Sequence, residues 1–398
     1  MQRRHFLATL ATLAAAPLIG SAGRLFAAPA NSPRFLLVFL RGGYDCANLL
    51  VPYTSDFYYE ARPSIAIARP DSGNAAGALR LDADWALAPA LRQSLGAMYA
   101  NKQVAFVPFA GTPNLSRSHF ETQDDIEHGL PENDHADRSG FLARLAGVLN
   151  GTAPPIAFTQ SLPLSFQGGG DVPNISMQNV GKPAFDTQQA AILASMYKDT
   201  ALRDPVAEGL ALRQQVAGKF ADEMMKANRG AANAYGFAQQ APRIAQMLRD
   251  KYRIGFIDVG GWDTHVGEGG AQGQLANNLG NLGRGLSALV EAMGDDWNDT
   301  VVTVVSEFGR TFRENGNKGT DHGHGSVYWV LGGGIHGGRI AGEQVRVTQS
   351  TLLQNRDFPV LNDYRGLLGG LFARLWGLNA SQLGRVFPQT KPTNLQLV

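Results

Sequence analysis

Residues of the kinds that bind metal ions lie beside five short apolar segments of this 398-residue chain. The apolar segments are residues 35–40, 104–109, 254–259, 301–305 and 327–331. The polar residues beside them are Asp45, Ser116, Ser118, His119, Asp258, Asp263, His265, Glu307, Asp321, His322 and His324. Carboxylates and imidazoles bind zinc, manganese or iron, and a hydrolytic site needs three or four of them with one position open for water or substrate. The pattern therefore predicts a metal site built from distant parts of the chain.

The histidines carry the strongest part of this pattern, because four of the eight lie beside the apolar segments. Asp263 and His265 are expected ligands, since histidine is the commonest metal-binding side chain. In the sequence DHGHG at residues 321–325, the glycines allow the backbone to approach a metal closely. We therefore expect His322 or His324, or both, to bind the ion as well.

The acidic residues allow more than one interpretation. Glu307 would be costly to bury alone, so we expect it either to bind the metal or to pair with Arg310. Asp45, beside two glycines, is a further expected ligand, although an aspartate there can also form hydrogen bonds within a turn. Arg310, Arg117 or Arg313 could hold an anionic oxygen of a substrate, and Arg310 is the arginine that we assign to catalysis.

Ser118 is the candidate nucleophile. It stands where a loop is expected to give way to a helix, and the spacing of Ser118 and Glu121 is that of a capping box. A serine there could be activated by a metal, while the helix N-terminus offers backbone donors to an anionic oxygen. Ser116 or a water molecule are the alternatives, and His119 is the neighbouring residue assigned to the reaction.

The apolar segments are expected to be buried strands of an α/β protein. Helical patterns at residues 88–99 and 274–293 lie between them, so strand and helix alternate. This predicts a doubly wound, mostly parallel sheet flanked by helices, with a binding crevice where the strands end. Residues 187–249 are rich in alanine, glutamine and methionine at helical spacing, which predicts a helical insertion.

The N-terminus indicates export. Residues 1–30 combine paired arginines, a short apolar stretch and a run of small residues, which is typical of a twin-arginine signal peptide. Residues 31–398 should then form one domain in the periplasm or outside the cell, without stable membrane insertion after cleavage. The single cysteine allows no internal disulfide, and the net charge of +1 without basic runs argues against a nucleic-acid partner.

Five segments resemble the alkaline-phosphatase-like (sulfatase-like) superfamily, and more closely a branch of twin-arginine-exported proteins of unknown function within it. The segments are residues 39–45 (FLRGGYD), 117–120 (RSHF), 260–265 (GGWDTH), 306–311 (SEFGRT) and 321–325 (DHGHG). The resemblance implies an alkaline-phosphatase-like fold and two neighbouring metals with a nucleophile between them. It implies Asp45 and Glu307 at one metal, and Ser118 as the nucleophile. Asp263, His265 and either His322 or His324 would bind the other metal.

The chain also departs from that superfamily. Phe308 stands where a histidine ligand is expected, and Asp263 and His265 are closer in sequence than usual. Neither Ser118 nor Cys46 lies in the pattern that precedes formylglycine in classical sulfatases. A site with one metal, or one completed by His119, therefore stays open beside the two-metal site.

The expected activity is a metal-dependent hydrolysis of phosphate or sulfate esters. The expected cofactor is one or two divalent ions, zinc first, with manganese, calcium and iron as alternatives. The substrate would be a small molecule or a glycan ester. The alternative is a non-catalytic, metal-containing binding protein of the cell envelope.

Overall fold

The computed structural model describes residues 32–131, 139–176, 196, 200 and 228–398. The predicted signal peptide, residues 1–30, lies outside this part of the chain. So does most of the predicted insertion at residues 187–249, whose described part contains a two-residue strand and a long helix.

The five apolar segments form the long strands of the main sheet, as predicted. They are β1 (Arg34–Leu40), β5 (Val104–Gly111), β8 (Ile254–Gly260), β9 (Thr300–Ser306) and β10 (Ser326–Gly332). The shorter strands are β2 (Leu50–Val51), β3 (Leu79–Arg80), β4 (Ala86–Leu87), β6 (Pro155–Ala157), β7 (Ala232–Asn233), β11 (Arg339–Ile340) and β12 (Asn362–Asp363). Strands β2, β4 and β3 make a separate small antiparallel sheet.

The described helices lie mainly between the strands. They are α1 (Asp56–Ala61), α2 (Leu95–Ala100), α3 (His119–His128), α4 (Phe141–Val148), α5 (Ala234–Asp250), α6 (Gln274–Met293), α7 (Tyr364–Trp376) and α8 (Ala380–Val386). Helix α6 has the predicted bounds. The helix predicted at residues 88–99 is instead a 3₁₀ turn at Pro89–Leu91 followed by α2, with Ser94 in a non-helical conformation between them.

The main sheet has the strand order β11, β5, β10, β9, β1, β8, β6, with β12 beside β5 and β7 beside β8. Its described pairs are parallel except those of β10, which runs antiparallel to both β5 and β9. The predicted mostly parallel sheet is therefore confirmed. The reversed strand brings the loop before β10 to the edge where β1, β5, β8 and β9 end.

Alternate side chains of β1 enter two hydrophobic cores, one on each face of the sheet. Leu36, Val38 and Leu40 pack with residues of α5 and α6, whereas Phe35 and Leu37 pack with residues of α4, α7 and α8. Burial on both faces is why this strand is apolar at every position after Arg34. Both cores share one sheet, so the described chain forms a single domain with helices on both faces, as predicted.

None of the helices in the described ranges has the length and apolar character that a membrane span requires.

The turn after β1 fits closely against the loop after β9. Gly43 has a φ of +63°, and a Cβ added there would lie 2.3 Å from a ring carbon of Phe308. We expect Gly43→Ala to lower the free energy of unfolding by about 2–4 kcal/mol, because overpacking and a left-handed φ each cost ~1–2 kcal/mol or more. Urea unfolding measures this change.

A matched control is Gly384→Ala in α8, where an added Cβ meets nothing within 4 Å. A glycine in a helix interior is less stable than alanine, so this variant should gain about 0.5–1 kcal/mol. Equal unfolding midpoints for the two variants would contradict the tight packing of the turn.

Candidate metal centre

Three imidazoles and one carboxylate meet at the edge of the sheet where the parallel strands end. His119 begins α3 after β5, Asp263 and His265 follow β8, and His322 precedes β10. The Nε2 atom of His322 lies 2.9 Å from Nε2 of His119 and 3.0 Å from Nε2 of His265. Asp263 Oδ1 lies 3.0 Å from His265 Nε2 and 3.3 Å from His322 Nε2. His119, Asp263 and His322 together offer ligand atoms within 4.8 Å of one another.

Each imidazole is oriented by an oxygen acceptor at its other nitrogen. Nδ1 of His119 lies 2.8 Å from Glu307 Oε1, and Nδ1 of His322 lies 3.1 Å from the Arg117 carbonyl oxygen. Nδ1 of His265 lies 3.3 Å from Asp321 Oδ1. When each Nδ1 donates a hydrogen bond, the lone pair is left on Nε2. Outer carboxylate or carbonyl partners of this kind orient the histidines of metal sites.

Burial and neighbouring charge shift the pKa values of His119 and His322. The pKa of His322 is lowered, because the ring is buried and lies near His119 and Arg310. Burial also acts to lower the pKa of His119, but Asp263 and Glu307 outweigh it and raise that pKa to about 9. The carboxylates therefore favour positive charge at the end of the cluster near His119.

Asp263 is held by a buried arginine. Arg310 Nη1 lies 2.5 Å from Asp263 Oδ1, and Arg310 Nε donates to Thr320 Oγ1 at 3.1 Å. The other carboxylate oxygen, Oδ2, is buried without a hydrogen-bond partner among the described residues and lies 3.5 Å from His119 Nε2. Burial alone would raise the pKa of Asp263, but the three histidines and Arg310 lower it far below its usual range. The carboxylate is therefore ionised and has a free ligand atom.

All three guanidinium nitrogens of Arg310 are paired inside the protein. Its side chain is buried, and its remaining contacts are the carbonyl oxygens of Thr320 and Gly42. The structure thus places this predicted catalytic residue behind Asp263, where it orients the carboxylate.

Glu307 lies next to His119 with both carboxylate oxygens occupied. Oε1 accepts hydrogen bonds at 2.8 Å from Gly42 N and from Gln123 Nε2, and it also contacts His119. Oε2 accepts from Ser306 Oγ at 3.0 Å. Burial acts to raise the pKa of Glu307, but the bond with His119 and the other donors lower it to about 2. The structure therefore places Glu307 as an ionised partner of His119.

Asp45 lies away from the three imidazoles, in a buried ion pair with Arg62. The guanidinium contacts both carboxylate oxygens, with Nη2 3.0 Å from Oδ1. Burial acts to raise the pKa of Asp45, but Arg62 outweighs it and lowers that pKa. Burial raises the pKa of the nearby Glu268 well above its usual range, and the Asp45 charge adds to this effect. The protonated, neutral form of Glu268 is therefore favoured compared with an exposed glutamate.

Ser118 is the N-cap residue of α3, but the predicted capping box does not form. The Ser118 side chain makes no cap hydrogen bond, and the Ser118 N–H donates to Ser116 Oγ at 3.0 Å. Arg117, just before it, has a φ of +55°, and its carbonyl oxygen lies 3.1 Å from Nδ1 of His322. The Ser118 hydroxyl is therefore not used to cap the helix.

His324 does not reach the cluster. Its ring is buried and hydrogen bonds to the backbone of Asn114, and burial together with Arg117 lowers its pKa to about 4. Of the two histidines in DHGHG, His322 is the one that meets His119 and His265.

Phe308 packs against two of the histidines. Its ring centroid lies 4.9 Å from that of His119 and 5.2 Å from that of His322, and it is 2% exposed. The position that would supply a histidine in the resembling superfamily therefore gives an apolar wall to the cluster.

Several residues of the site are not among those predicted from the sequence. Arg62 and Glu268 carry no motif, and their partner Asp45 lies 17 residues from Arg62 in an unrelated segment. Gln123 was overlooked as well, although it lies one helical turn after His119, at the i+4 spacing that places side chains on one face. That spacing is the one signal by which it could have been found.

Removing the charge of Glu307 tests how much the orientation of His119 matters. We expect Glu307→Gln to weaken metal affinity by about 10–100-fold, the usual effect of losing an outer partner of a metal-binding histidine. Calorimetric titration of the metal-stripped protein with zinc measures the affinity. The control is Glu314→Gln, a carboxylate that bonds Ser64 and Ile65 and should leave affinity unchanged. Unaltered affinity in Glu307→Gln would contradict this role.

Several solved structures match this chain at low sequence identity and low TM-score. A protein in the alkaline phosphatase superfamily from Vibrio parahaemolyticus has 11% identity and a TM-score of 0.37, over 79% of this chain and 65% of that chain. The chain thus spans just under two thirds of the length of that relative. The C-terminal periplasmic domain of EcEptC from Escherichia coli, in complex with Zn, has 11% identity and a TM-score of 0.42, over 92% and 90% of the two chains. A 2-O GAG sulfatase has 10% identity and a TM-score of 0.37, over 91% and 76%.

A comparison with curated proteins gives no sequence match. A family model matches the chain from residue 32 to residue 387, from the start of the described chain to the end of α8. The chain therefore belongs to the family described as protein of unknown function DUF1501.

Proposed function

We propose that this chain is an exported, metal-dependent hydrolase of phosphate or sulfate esters. The observation that supports this best is the convergence of three Nε2 atoms on Asp263, with each Nδ1 held by an oxygen acceptor. A metal ion between these Nε2 atoms would bind their lone pairs and would replace the positive charge that Asp263 and Glu307 otherwise favour on His119. The proposed ligands are His119, Asp263, His265 and His322.

The donor set suits zinc. Imidazole nitrogens and a carboxylate oxygen are ligands that zinc binds, and manganese or iron accept the same atoms. Hydrolysis would need one further position at the ion for water or substrate, which zinc provides by binding three of the four residues or by becoming five-coordinate. The buried Asp263 Oδ2 lacks a hydrogen-bond partner among the described residues, which is costly unless the atom binds a cation. When bound, the metal would lower the pKa of a hydroxyl or water and offset charge on the transferring group.

The residues around the ligands have supporting roles in this proposal. Ser118 is the proposed nucleophile, because its hydroxyl makes no cap bond and it directly precedes the ligand His119. The first backbone N–H groups of α3 would bind an anionic oxygen of the substrate. Arg310 and Glu307 are assigned to positioning, since they hold Asp263 and His119 respectively. His324 and Asp45 are left outside the ligand set.

The proposals about export, substrate class and partners follow from the sequence. Residues 1–30 would direct twin-arginine export, which delivers proteins already folded and suits a chain that cannot form an internal disulfide. The substrate would be a small-molecule or glycan ester in the periplasm or outside the cell. No nucleic-acid partner is proposed, because the chain has a net charge of only +1.

The proposal is tested with the mature protein, purified without added metal. Its metal content is measured first, and aryl phosphates and aryl sulfates are then assayed with and without restored zinc. We expect bound metal and turnover that a chelator removes and zinc restores. His336→Ala, which changes an exposed histidine hydrogen bonded to Gln396, is the control that should keep full activity. Metal-free protein that stays inactive with added zinc would overturn the proposal.

The burial of Phe308 against His119 and His322 favours a second candidate, a non-catalytic metal-containing binding protein of the cell envelope. An apolar wall beside the ion leaves less room for the groups that stabilise a transition state. This candidate predicts tight metal binding without turnover of any ester, so measured turnover would exclude it.

A further inference from the structure

The resembling superfamily implies a second metal held by Asp45 and Glu307, and the structure allows a test of whether these residues fit such an ion. A second cation would need carboxylate oxygens with free lone pairs. It would also need negative charge that is not already balanced, because an uncompensated buried cation is costly.

Asp45 fails this test because a fixed cation already occupies its carboxylate. Arg62 contacts both oxygens of Asp45, and the Arg62 side chain is fully buried. The guanidinium is held from the other side as well, since it donates to the carbonyl oxygens of Phe312 at 2.7 Å and Thr311 at 3.2 Å. Arg62 therefore cannot swing away without leaving several buried groups unpaired.

Glu307 fails the test because it has only one oxygen left to offer. Oε1 accepts from Gly42 N and Gln123 and contacts His119, which uses both of its lone-pair sites. Oε2 lies 3.0 Å from the Ser306 hydroxyl, which also donates to the Leu40 carbonyl oxygen at 2.7 Å. With Asp45 held by Arg62, Oε2 alone is too few ligand atoms for a metal site. Phe308 closes the same side with an aromatic ring that has no strong ligand atom.

We infer that this protein binds one divalent ion per chain, and that the buried guanidinium of Arg62 takes the place of a second ion. The inference rests on the proposed metal site at His119, Asp263, His265 and His322. It deepens that proposal, because it states how many ions share the reaction and assigns a fixed cation to Asp45. The chain would then act on its ester with one exchangeable ion.

The decisive experiment is the metal-to-protein ratio of the full mature chain. Stripped protein is incubated with excess zinc, separated from free ion by gel filtration, and analysed by elemental mass spectrometry. A ratio of one supports the inference. A ratio of two overturns the inference and leaves the proposed metal-dependent function standing, whereas a ratio of zero overturns both.

Two variants assign the single ion to its residues. His322→Ala should lower the ratio from one to near zero, and Asp45→Asn should leave it at one. A ratio near zero in Asp45→Asn, with the protein folded by circular dichroism, would show that Asp45 is a ligand and would overturn the inference. If Asp45→Asn does not fold, the wild-type ratio still decides between one ion and two.

Discussion

Asp263→Asn is expected to lower zinc affinity by more than about 100-fold, beyond the 10–100-fold that loss of an outer partner costs. Asparagine keeps the size of the side chain and one acceptor oxygen, but it removes the negative charge that the cluster offers to a cation. Ester turnover should fall with the bound metal, because the same ion would lower the pKa of the nucleophile. Zinc titration and the assay with aryl esters at saturating zinc measure the two effects separately.

The same change also leaves the buried Arg310 without its counter-ion. Breaking a buried ion pair from one side typically costs about 3–5 kcal/mol, so urea unfolding should show a clear loss of stability. The control is Asp363→Asn, an aspartate that caps α7 and pairs with Arg365 outside the cluster. The Asp363→Asn protein should lose some stability and still bind zinc with normal affinity. An Asp263→Asn protein with normal zinc affinity would refute the ligand assignment.

His322→Ala and His324→Ala are expected to behave differently although the two residues are neighbours in the sequence. His322 contributes an Nε2 atom to the cluster, so its loss should remove the ion and reduce activity by at least about 100-fold, the lower end of what a key electrostatic group contributes. His324 bonds to the backbone of Asn114 instead. Its replacement should cost only about 1–3 kcal/mol of stability, as for a lost buried hydrogen bond.

The two variants are compared for zinc content, turnover and urea midpoint. Because both changes remove one imidazole from the same loop, a general loosening of that loop would affect both proteins. Loss of zinc in both proteins, or in His324→Ala alone, would contradict the position of the ligand at His322.

The strands and the edge where the site lies could be predicted from the sequence. Strands buried on both faces of a sheet need apolar residues at almost every position, so runs such as residues 35–40 and 301–305 are visible in the chain itself. Helix α6 was equally clear, since its apolar residues repeat with the helical period over twenty residues.

The roles of individual acidic and basic residues could not be predicted in this way. Asp45, Glu307 and Arg310 each follow a strand, and their spacing is compatible with a ligand, a counter-ion or a substrate clamp. Glu307 meets His119 across 188 positions of the chain, and Arg310 meets Asp263 across 47. The partner of each charged side chain depends on how whole helices and strands pack together. No local sequence pattern indicates that partner.

The sequence by itself determined the apolar strands, the helices between them and the polar residues at the strand ends, because these depend on local periodicity and on burial. Tertiary structure alone decided the rest. The antiparallel direction of β10 brings His322 to the same edge as His119 and Asp263, and a parallel β10 would have placed it at the opposite edge. Likewise the pairing of Asp45 with Arg62 became visible only when the fold brought the two side chains into the same buried space.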